Sequence, residues 1–442
     1  MAEAGVAAAY GVQSFVEGAV ALAKGIYDPT LPLKATLTPI SDINLPRAYH
    51  TISIIKGRAY IFGGITASNE GGQELADNDL HIVILPSSGV DGADYTKVTA
   101  TSTAPPKRWR HSAAVVDARI YFFGGSGQHD GEPLDEQGRV WIFDTATNGW
   151  SHLDPPAQGK KPDPRTQHAS LASEHPQPIQ HRTDEGLAPQ RDVDSAKMVP
   201  EPPAGDSYGT LIIAGGKSKS GQLLNDMWTF DIPSRTWAEL PELPPPTTAA
   251  PSLAMVEKRV YAFSQGQTSF LDLSQSSFDD RAGEGELGIA PLGPWSTMPP
   301  AAGSPELAHP SDRTGASLVP VTTGQGRNYL LLIGGVSSAG EVLEDIWALQ
   351  LRPEGMTAAS FKDAARQVVK KSTGERMWAE VRYYDVDGKL VQEGQAGRGV
   401  GKREGLAAAR EAEVDGGSVV VWGGIGAGGR MGGGGVMVSV DR

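Results

Sequence analysis

Arg108-Trp-Arg-His-Ser-Ala-Ala-Val-Val116, then Arg119-Ile-Tyr-Phe-Phe-Gly-Gly125, then Val140-Trp-Ile-Phe-Asp144 and Trp150 are the phrases on which the fold turns. Three short runs, rich in β-branched and aromatic residues and each closed by a turn signal, read as consecutive strands of a meander. Trp150 comes six positions after Asp144, and the intervening Thr-Ala-Thr-Asn-Gly supplies a tight turn into a fourth strand. The same order recurs as Leu211-Ile-Ile-Ala-Gly-Gly216, Met227-Trp-Thr-Phe-Asp231 and Trp237, again with six positions from Asp to Trp.

Working outward, second strands end in Gly63-Gly64, Gly124-Gly125, Gly215-Gly216, Gly334-Gly335 and Gly423-Gly424. A sixth, degenerate copy is Val260-Tyr-Ala-Phe-Ser264-Gln265, followed by Phe270-Leu-Asp272 and Trp295. Successive copies lie 61, 91, 49, 70 and 89 positions apart, so insertions pad a basic unit of about 50 residues. These phrases resemble kelch repeats, and the chain is similar to the kelch-repeat propellers of the galactose oxidase/kelch-like superfamily. The resemblance implies an all-β fold in which six four-stranded blades close radially. The copper site of galactose oxidase needs a cysteine, and this chain has none.

Lys34-Ala-Thr-Leu-Thr-Pro-Ile40 precedes the first copy, while the last copy stops at a third strand, Gly435-Val-Met-Val-Ser-Val-Asp441. The N-terminal strand is therefore expected to complete the sixth blade and leave no free sheet edge at the seam. That divides the chain into a helical extension, 1–33, carried by the apolar stretch Ala4–Ile26, and the propeller, 34–442. Insertions fall at about 173–207, 274–294 and 352–376. The first two are polar. The third holds Ala358–Lys371, whose Phe361, Ala365, Val368 and Val369 recur at helical spacing and predict a short amphipathic helix. Glycines crowd the stretch Gly423–Gly435 and leave the last blade little side-chain surface there.

With 39 % hydrophobic residues the chain can build a core, and its 55 glycines and 32 prolines suit a turn-rich fold. The formal charge of −13 argues against nucleic acid and anionic membrane as partners. Without cysteine there is no disulfide, thiolate nucleophile or Cys-ligated metal. The stretch Ala4–Ile26 is interrupted by Gln13, Ser14, Glu17 and Lys24, which fits neither a signal peptide nor a membrane span, so no integral membrane association is expected. A cytoplasmic location is expected, with the nucleus also open.

Basic residues precede each first strand: Arg47, Arg108 with Arg110, Arg165, Arg313 and Arg403, while the fourth copy has Thr247-Thr248. His50, His111 and His168 follow three positions after their arginines. The resemblance implies that this Arg-x-x-His phrase opens the innermost strand, which would gather these side chains round the central channel. Guanidinium groups gathered there suit a carboxylate or acidic peptide, because arginine binds carboxylates through two parallel hydrogen bonds. Each arginine could instead tie down loop carbonyls, and Arg110 stands out because it is additional to the repeat's own Arg108. The tryptophans Trp150, Trp237, Trp295 and Trp378 read as filling between blades. Acidic loops at Glu70, Glu74, Asp77, Asp79, Asp130, Glu132, Asp135 and Glu136, with His129, read as solvated charge rather than a metal site.

Two functions fit. In the first, the propeller is a binding scaffold that presents the loops of one face to a protein or peptide partner. In the second, it is an enzyme acting on a small anionic or polyoxygenated metabolite by isomerase, lyase or cyclase chemistry. His50, His111 and His168 would then transfer protons, and Arg47, Arg108, Arg110, Arg165, Arg313 and Arg403 would hold the substrate. No cofactor and no metal are expected.

Overall fold

The computed structural model describes residues 26–68, 72–86, 92–127, 131–176, 208–245, 249–275, 288–299, 309–323, 326–392, 395, 398–410 and 417–441. The expected N-terminal helix, the bulk of the 173–207 insertion, and Thr247-Thr248 lie outside these residues.

Six antiparallel sheets stand around one axis. From the inside outward, blade 1 consists of Thr51–Ile55, Arg58–Phe62, Leu80–Ile84 and Asp94–Val98. Blade 2 is Ser112–Val116, Arg119–Phe123, Val140–Asp144 and Gly149–Leu153. Blade 3 is Ala169–Ser173, Thr210–Lys217, Leu223–Asp231 and Thr236–Leu240. Blade 4 is Ser252–Val256, Arg259–Ser264 and Gln267–Gln275, with Ile289–Pro291 and Ser296–Thr297 both along the third strand. Blade 5 is Ser317–Thr323, Arg327–Ile333, Ile346–Gln350 and Trp378–Glu380. Blade 6 is Ala407–Arg410, Ser418–Trp422, Gly435–Asp441 and Lys34–Ile40. Each innermost strand packs against the next, and the last packs against the first, so the ring is continuous.

The blades' second strands lack the alternation of a sheet with one wet face, because neighbouring blades cover both sides. Ile120, Tyr121, Phe122 and Phe123 are all buried in succession. The core is accordingly divided into layers between blades. Tyr60, Phe62 and Ile82 of blade 1 meet Ile120, Phe122, Trp141, Phe143 and Trp150 of blade 2 in one such layer. Each fully buried side chain of this size contributes about 1.5–3 kcal/mol.

At the seam Lys34–Ile40 pairs antiparallel with Gly435–Asp441 along its whole length, from Lys34 opposite Asp441 to Ile40 opposite Gly435. A short strand, Arg382–Tyr384, adds in parallel to the outer side of residues 34–36.

The third insertion forms the helix Ala358–Val368, three residues shorter than the sequence predicts and turned the other way round. Thr357 caps it: its hydroxyl accepts from Ser360 N at 3.1 Å, and Ser360 Oγ accepts from Thr357 N at 2.9 Å. The buried face is polar. Asp363 accepts from Arg327 at 2.6 and 2.7 Å and from Arg366 at 3.1 Å, and Arg366 also donates to the carbonyls of Ile26 and Asp28. Phe361 and Val368, which periodicity assigns to the core, are instead 78 % and 83 % exposed. The Arg327–Asp363–Arg366 cluster takes the inward face because a charge-assisted network is more costly to leave half-made than a phenyl ring is to expose.

Candidate functional site

The repeat's arginines are the first side chains to place. Arg47, Arg108, Arg165 and Arg313 each donate from Nη1 to the carbonyl of the first glycine of their own blade's pair, Gly63, Gly124, Gly215 and Gly334, at 2.9–3.2 Å. Each also grips a carboxylate of the same blade. Arg108 takes both oxygens of Glu136 at 2.9 and 2.7 Å, Arg165 takes Asp226 at 2.7 and 2.8 Å, and Arg313 takes Asp345 at 2.6 and 3.0 Å. Arg47 donates to Asp77 at 2.9 Å. A ring nitrogen on the third strand completes every set: Trp141, Trp228 and Trp347 donate Nε1–H to Glu136, Asp226 and Asp345, and His81 Nε2 lies 2.9 Å from Asp77. Burial pushes the Asp226 carboxyl up, but Arg165 more than reverses this and leaves it below the usual carboxylate range. These four guanidiniums are buried and each is paired with a carboxylate inside its blade.

Between blades, the glycine pairs and histidines form a lock. The second glycine of blade 1, Gly64, donates to Arg108 O of blade 2 at 2.8 Å, Gly125 donates to Arg165 O at 3.0 Å, and Gly424 donates to Arg47 O at 2.7 Å. A Cβ on Gly124 would stand 2.7 Å from Arg165 O and 2.8 Å from His168 Cε1, and its φ of +59° is already left-handed. His111 Nε2 shares a hydrogen bond with Thr51 Oγ1 of the preceding blade at 2.9 Å, and His168 Nε2 shares one with Ser112 Oγ at 2.8 Å. His50 has no such partner, because the corresponding place in blade 6 holds Ala407.

One residue before each of these positions, the backbone lines the axis. Tyr49, Arg110, Gln167, Ala250, Gly315 and Gly405 all have φ between +53° and +68°. Tyr49 N donates to Gly405 O, Arg110 N to Tyr49 O, Gln167 N to Arg110 O, Ala250 N to Gln167 O and Gly315 N to Ala250 O, at 2.7–3.4 Å. This belt carries polar side chains on one half, at Tyr49, Arg110 and Gln167, and almost none on the other. The Arg110 guanidinium lies 4.0 Å from the Trp109 ring and 4.7 Å from the Tyr49 ring, and Tyr49 donates to Glu404 Oε1 at 2.5 Å. Burial, assisted by Glu404, raises the Tyr49 hydroxyl to about 12, so it stays a donor. Among the described residues Arg110 Nε and Gln167 Oε1 are buried without a hydrogen-bond partner, and Arg110 faces no carboxylate.

A family model described as the KLHDC2/KLHL20/DRC7 Kelch-repeats domain matches residues 33–177, which span the seam strand, blades 1 and 2, and the inner strand of blade 3. The chain is a six-bladed β-propeller with repeats similar to kelch repeats. Kelch domain-containing protein 3 of Bos taurus is 24 % identical over 43 % of this chain and 40 % of its own length. The flagellar outer-arm dynein alpha chain of Chlamydomonas reinhardtii is 27 % identical over 46 % of this chain and 5 % of its own. Acyl-CoA-binding domain-containing protein 6 of Oryza sativa is 24 % identical over 45 % and 34 %. The chain thus spans less than half the length of these curated relatives. The solved structure of YjhT covers 91 % of this chain and 99 % of its own, at 14 % identity and a TM-score of 0.49.

Of the nine side chains that the sequence assigns to the channel mouth, the belt holds one, Arg110. Arg47, Arg108, Arg165 and Arg313 are pulled into their blades by the carboxylates, and Arg403 stands at the edge of blade 6. The histidines lie between blades, 5–6 % exposed. Burial, with Arg47 beside it, pushes His50 down to about 3, and burial with Arg165 does the same to His168. Burial and Arg108 send His111 well below its ordinary value. Imidazoles this weakly basic take up no proton near neutrality, which speaks against their use in acid–base chemistry. Among the described residues no three His, Asp or Glu stand together as metal ligands. The loop acids are paired elsewhere: Asp77 with Arg47, Asp79 with Lys97, Glu132 with Lys219 and Glu136 with Arg108. Glu70, His129 and Asp130 lie outside the described residues. Trp150, Trp237 and Trp378 are buried between blades, Trp237 donating to Gly138 O and Trp378 to Thr268 Oγ1 of the preceding blade, whereas Trp295 is only part-buried.

The sequence reading missed Tyr49, Trp109, Gln167 and Glu404 at the mouth. The signal lay one position before each histidine, where a single left-handed residue recurs in every blade. No helix among the described residues is long and apolar enough to cross a membrane.

Proposed function

We propose that this kelch propeller is a protein-interaction module whose partner offers an acidic side chain or carboxylate to Arg110 at the mouth of the axis. One observation carries the reading: among the described residues Arg110 faces no carboxylate, whereas four arginines of the repeat are neutralised within their blades. Its guanidinium lies within 4.0 Å of the Trp109 ring and 4.7 Å of the Tyr49 ring, so little rotamer entropy remains to be lost on binding. Contact with aromatic rings leaves the positive charge of a guanidinium unneutralised, and such a group suits a carboxylate. The Tyr49 hydroxyl and the Gln167 amide extend the polar half of the mouth, and the glycine half gives a bound chain room to pass. Bound peptide would gain both a charge-assisted pair and aromatic contact, the kind of anchor that dominates interfaces. A cysteine-free chain suits a reducing compartment such as the cytoplasm.

The test is an array of immobilised acidic peptides probed with the wild-type chain and with Arg110→Gln. Wild type should retain a subset of sequences that the variant loses, with affinity down about tenfold or more for loss of one buried charged partner. Equal retention by both chains overturns the role of Arg110, and no retention by wild type overturns the acidic-peptide reading.

A further inference from the structure

Blade 6 keeps the repeat's arginine but has lost both of its companions. Arg403 Nη1 still points at the carbonyl of its blade's first glycine, Gly423, but at 3.4 Å against 2.9–3.2 Å elsewhere. Strand register aligns Trp422 with Gly435, as Ala214 with Met227 in blade 3 and Ile333 with Ile346 in blade 5. The place held by Asp226 and Asp345 is therefore Gly434, and the place of Trp228 and Trp347 is Val436. In blade 4 the same register puts Gln267 and Ser269 in those places, so the arginine's companions are gone there too, and the sequence has Thr248 where the arginine would be. Only in blade 6 does the repeat's own arginine stand half-buried with no carboxylate among the described residues, and burial alone lowers its pKa.

A cavity of about 850 Å³ opens at this spot, between blades 5 and 6. Leu37, Pro39 and Val436 give it an apolar wall where blades 2, 3 and 5 pack an indole, and Pro39 lies directly opposite Val436 in the ladder. Arg403 and Lys402 supply unneutralised positive charge, while Arg398 is engaged by Glu380 at 2.8 Å. Glu341 and Glu344 also line the cavity and penalise a doubly charged ligand.

We infer that this cavity is a binding site for a small aromatic monocarboxylate, whose carboxylate pairs with Arg403 as Asp226 pairs with Arg165 and whose ring lies on Val436 where Trp228 lies in blade 3. The molecule's own repeat is the template: three other blades show a guanidinium, a carboxylate and an indole assembled in one arrangement, and here the protein supplies the first alone. The site is separate from the mouth, so it stands or falls independently of Arg110.

Titration of the full chain with indoleacetate, followed by protein-observed NMR or calorimetry, tests it. Saturable binding with a Kd at or below about 1 mM is expected, with methylindole (ring alone) and acetate (charge alone) each at least about tenfold weaker. Arg403→Gln should weaken indoleacetate by about tenfold or more, and Val436→Trp should abolish binding by filling the space, while Arg110→Gln should bind as wild type does. Melting curves on each variant establish that it is folded. Absence of saturation, equal binding by Arg403→Gln, or loss of binding in Arg110→Gln overturns the site. Tighter binding of phenyl phosphate than of indoleacetate overturns the monocarboxylate assignment.

Discussion

A glycine pair in this fold answers to a contact in the neighbouring blade rather than to its own strand. At Gly124 the left-handed φ coincides with Arg165 O and His168 Cε1 lying where a Cβ would be, so both conformation and space exclude a side chain. Gly124→Ala should therefore cost about 2–4 kcal/mol, read as a lowered midpoint in urea unfolding, because a backbone carbonyl and a packed imidazole must both move. A midpoint within error of wild type would show that the lock is slack. The glycine pairs could be read from sequence because five of them recur in one context. The arginines' bond to a carbonyl could be read as well, but not their ion pairs, because the phrase Arg-x-x-His says nothing of whether a carboxylate waits beside the third strand. Asp226-Met-Trp228 and Asp345-Ile-Trp347 were the missing half of that phrase. They lie 61 and 32 residues from their arginines, beyond the reach of any local pattern.

Among elements, the seam strand and the inverted helix make opposite points about pattern. Lys34–Ile40 was legible because the last copy of the repeat stops one strand short and the N-terminal segment has the composition to supply it. Its removal leaves Gly435–Asp441 with an unpaired outer edge over its full length. A chain lacking residues 34–40 should aggregate at concentrations where the full chain stays monodisperse in gel filtration, and its melting should broaden. Unchanged elution and melting would mean that the strand is dispensable. The helix at 358–368 was legible in type and place but not in direction, since periodicity locates an apolar stripe without saying which stripe the protein covers. Asp363 decided the matter: two arginines, one of them from a blade 5 strand, reach it only if Phe361 turns outward.

For the molecule as a whole, three imidazoles buried in the layers between blades couple the ring to acid. Their folded pKa values lie below the unfolded value near 6.5, at about 3 for His50 and His168, so the stability they carry is complete above pH 6.5 and is lost progressively as pH falls below it. Together they can remove up to about 4 kcal/mol per pH unit between roughly pH 6 and pH 4. Carboxylates such as Asp226, held down by their arginines, add their own loss only below about pH 4. Melting temperature measured from neutral pH downward should begin to fall near pH 6, well before carboxylates titrate, and a level curve to about pH 5 would show that the imidazoles are not insulated. Sequence composition carried the radial architecture, because six similar units admit few other arrangements. It did not carry the contents of the mouth, which depend on which of six equivalent positions hold a long side chain and which hold glycine or alanine.

The parallel strand Arg382–Tyr384 has a mechanical meaning. Lys34 and Asp441 sit side by side at the same end of the seam, so tension applied to the chain just outside them would peel the ladder open one rung after another. The first three rungs are the ones that Arg382–Tyr384 clasps from the other side, and the peel would have to start against a strand gripped on both flanks. Whatever is attached at either place can tug on the propeller without first finding a loose thread.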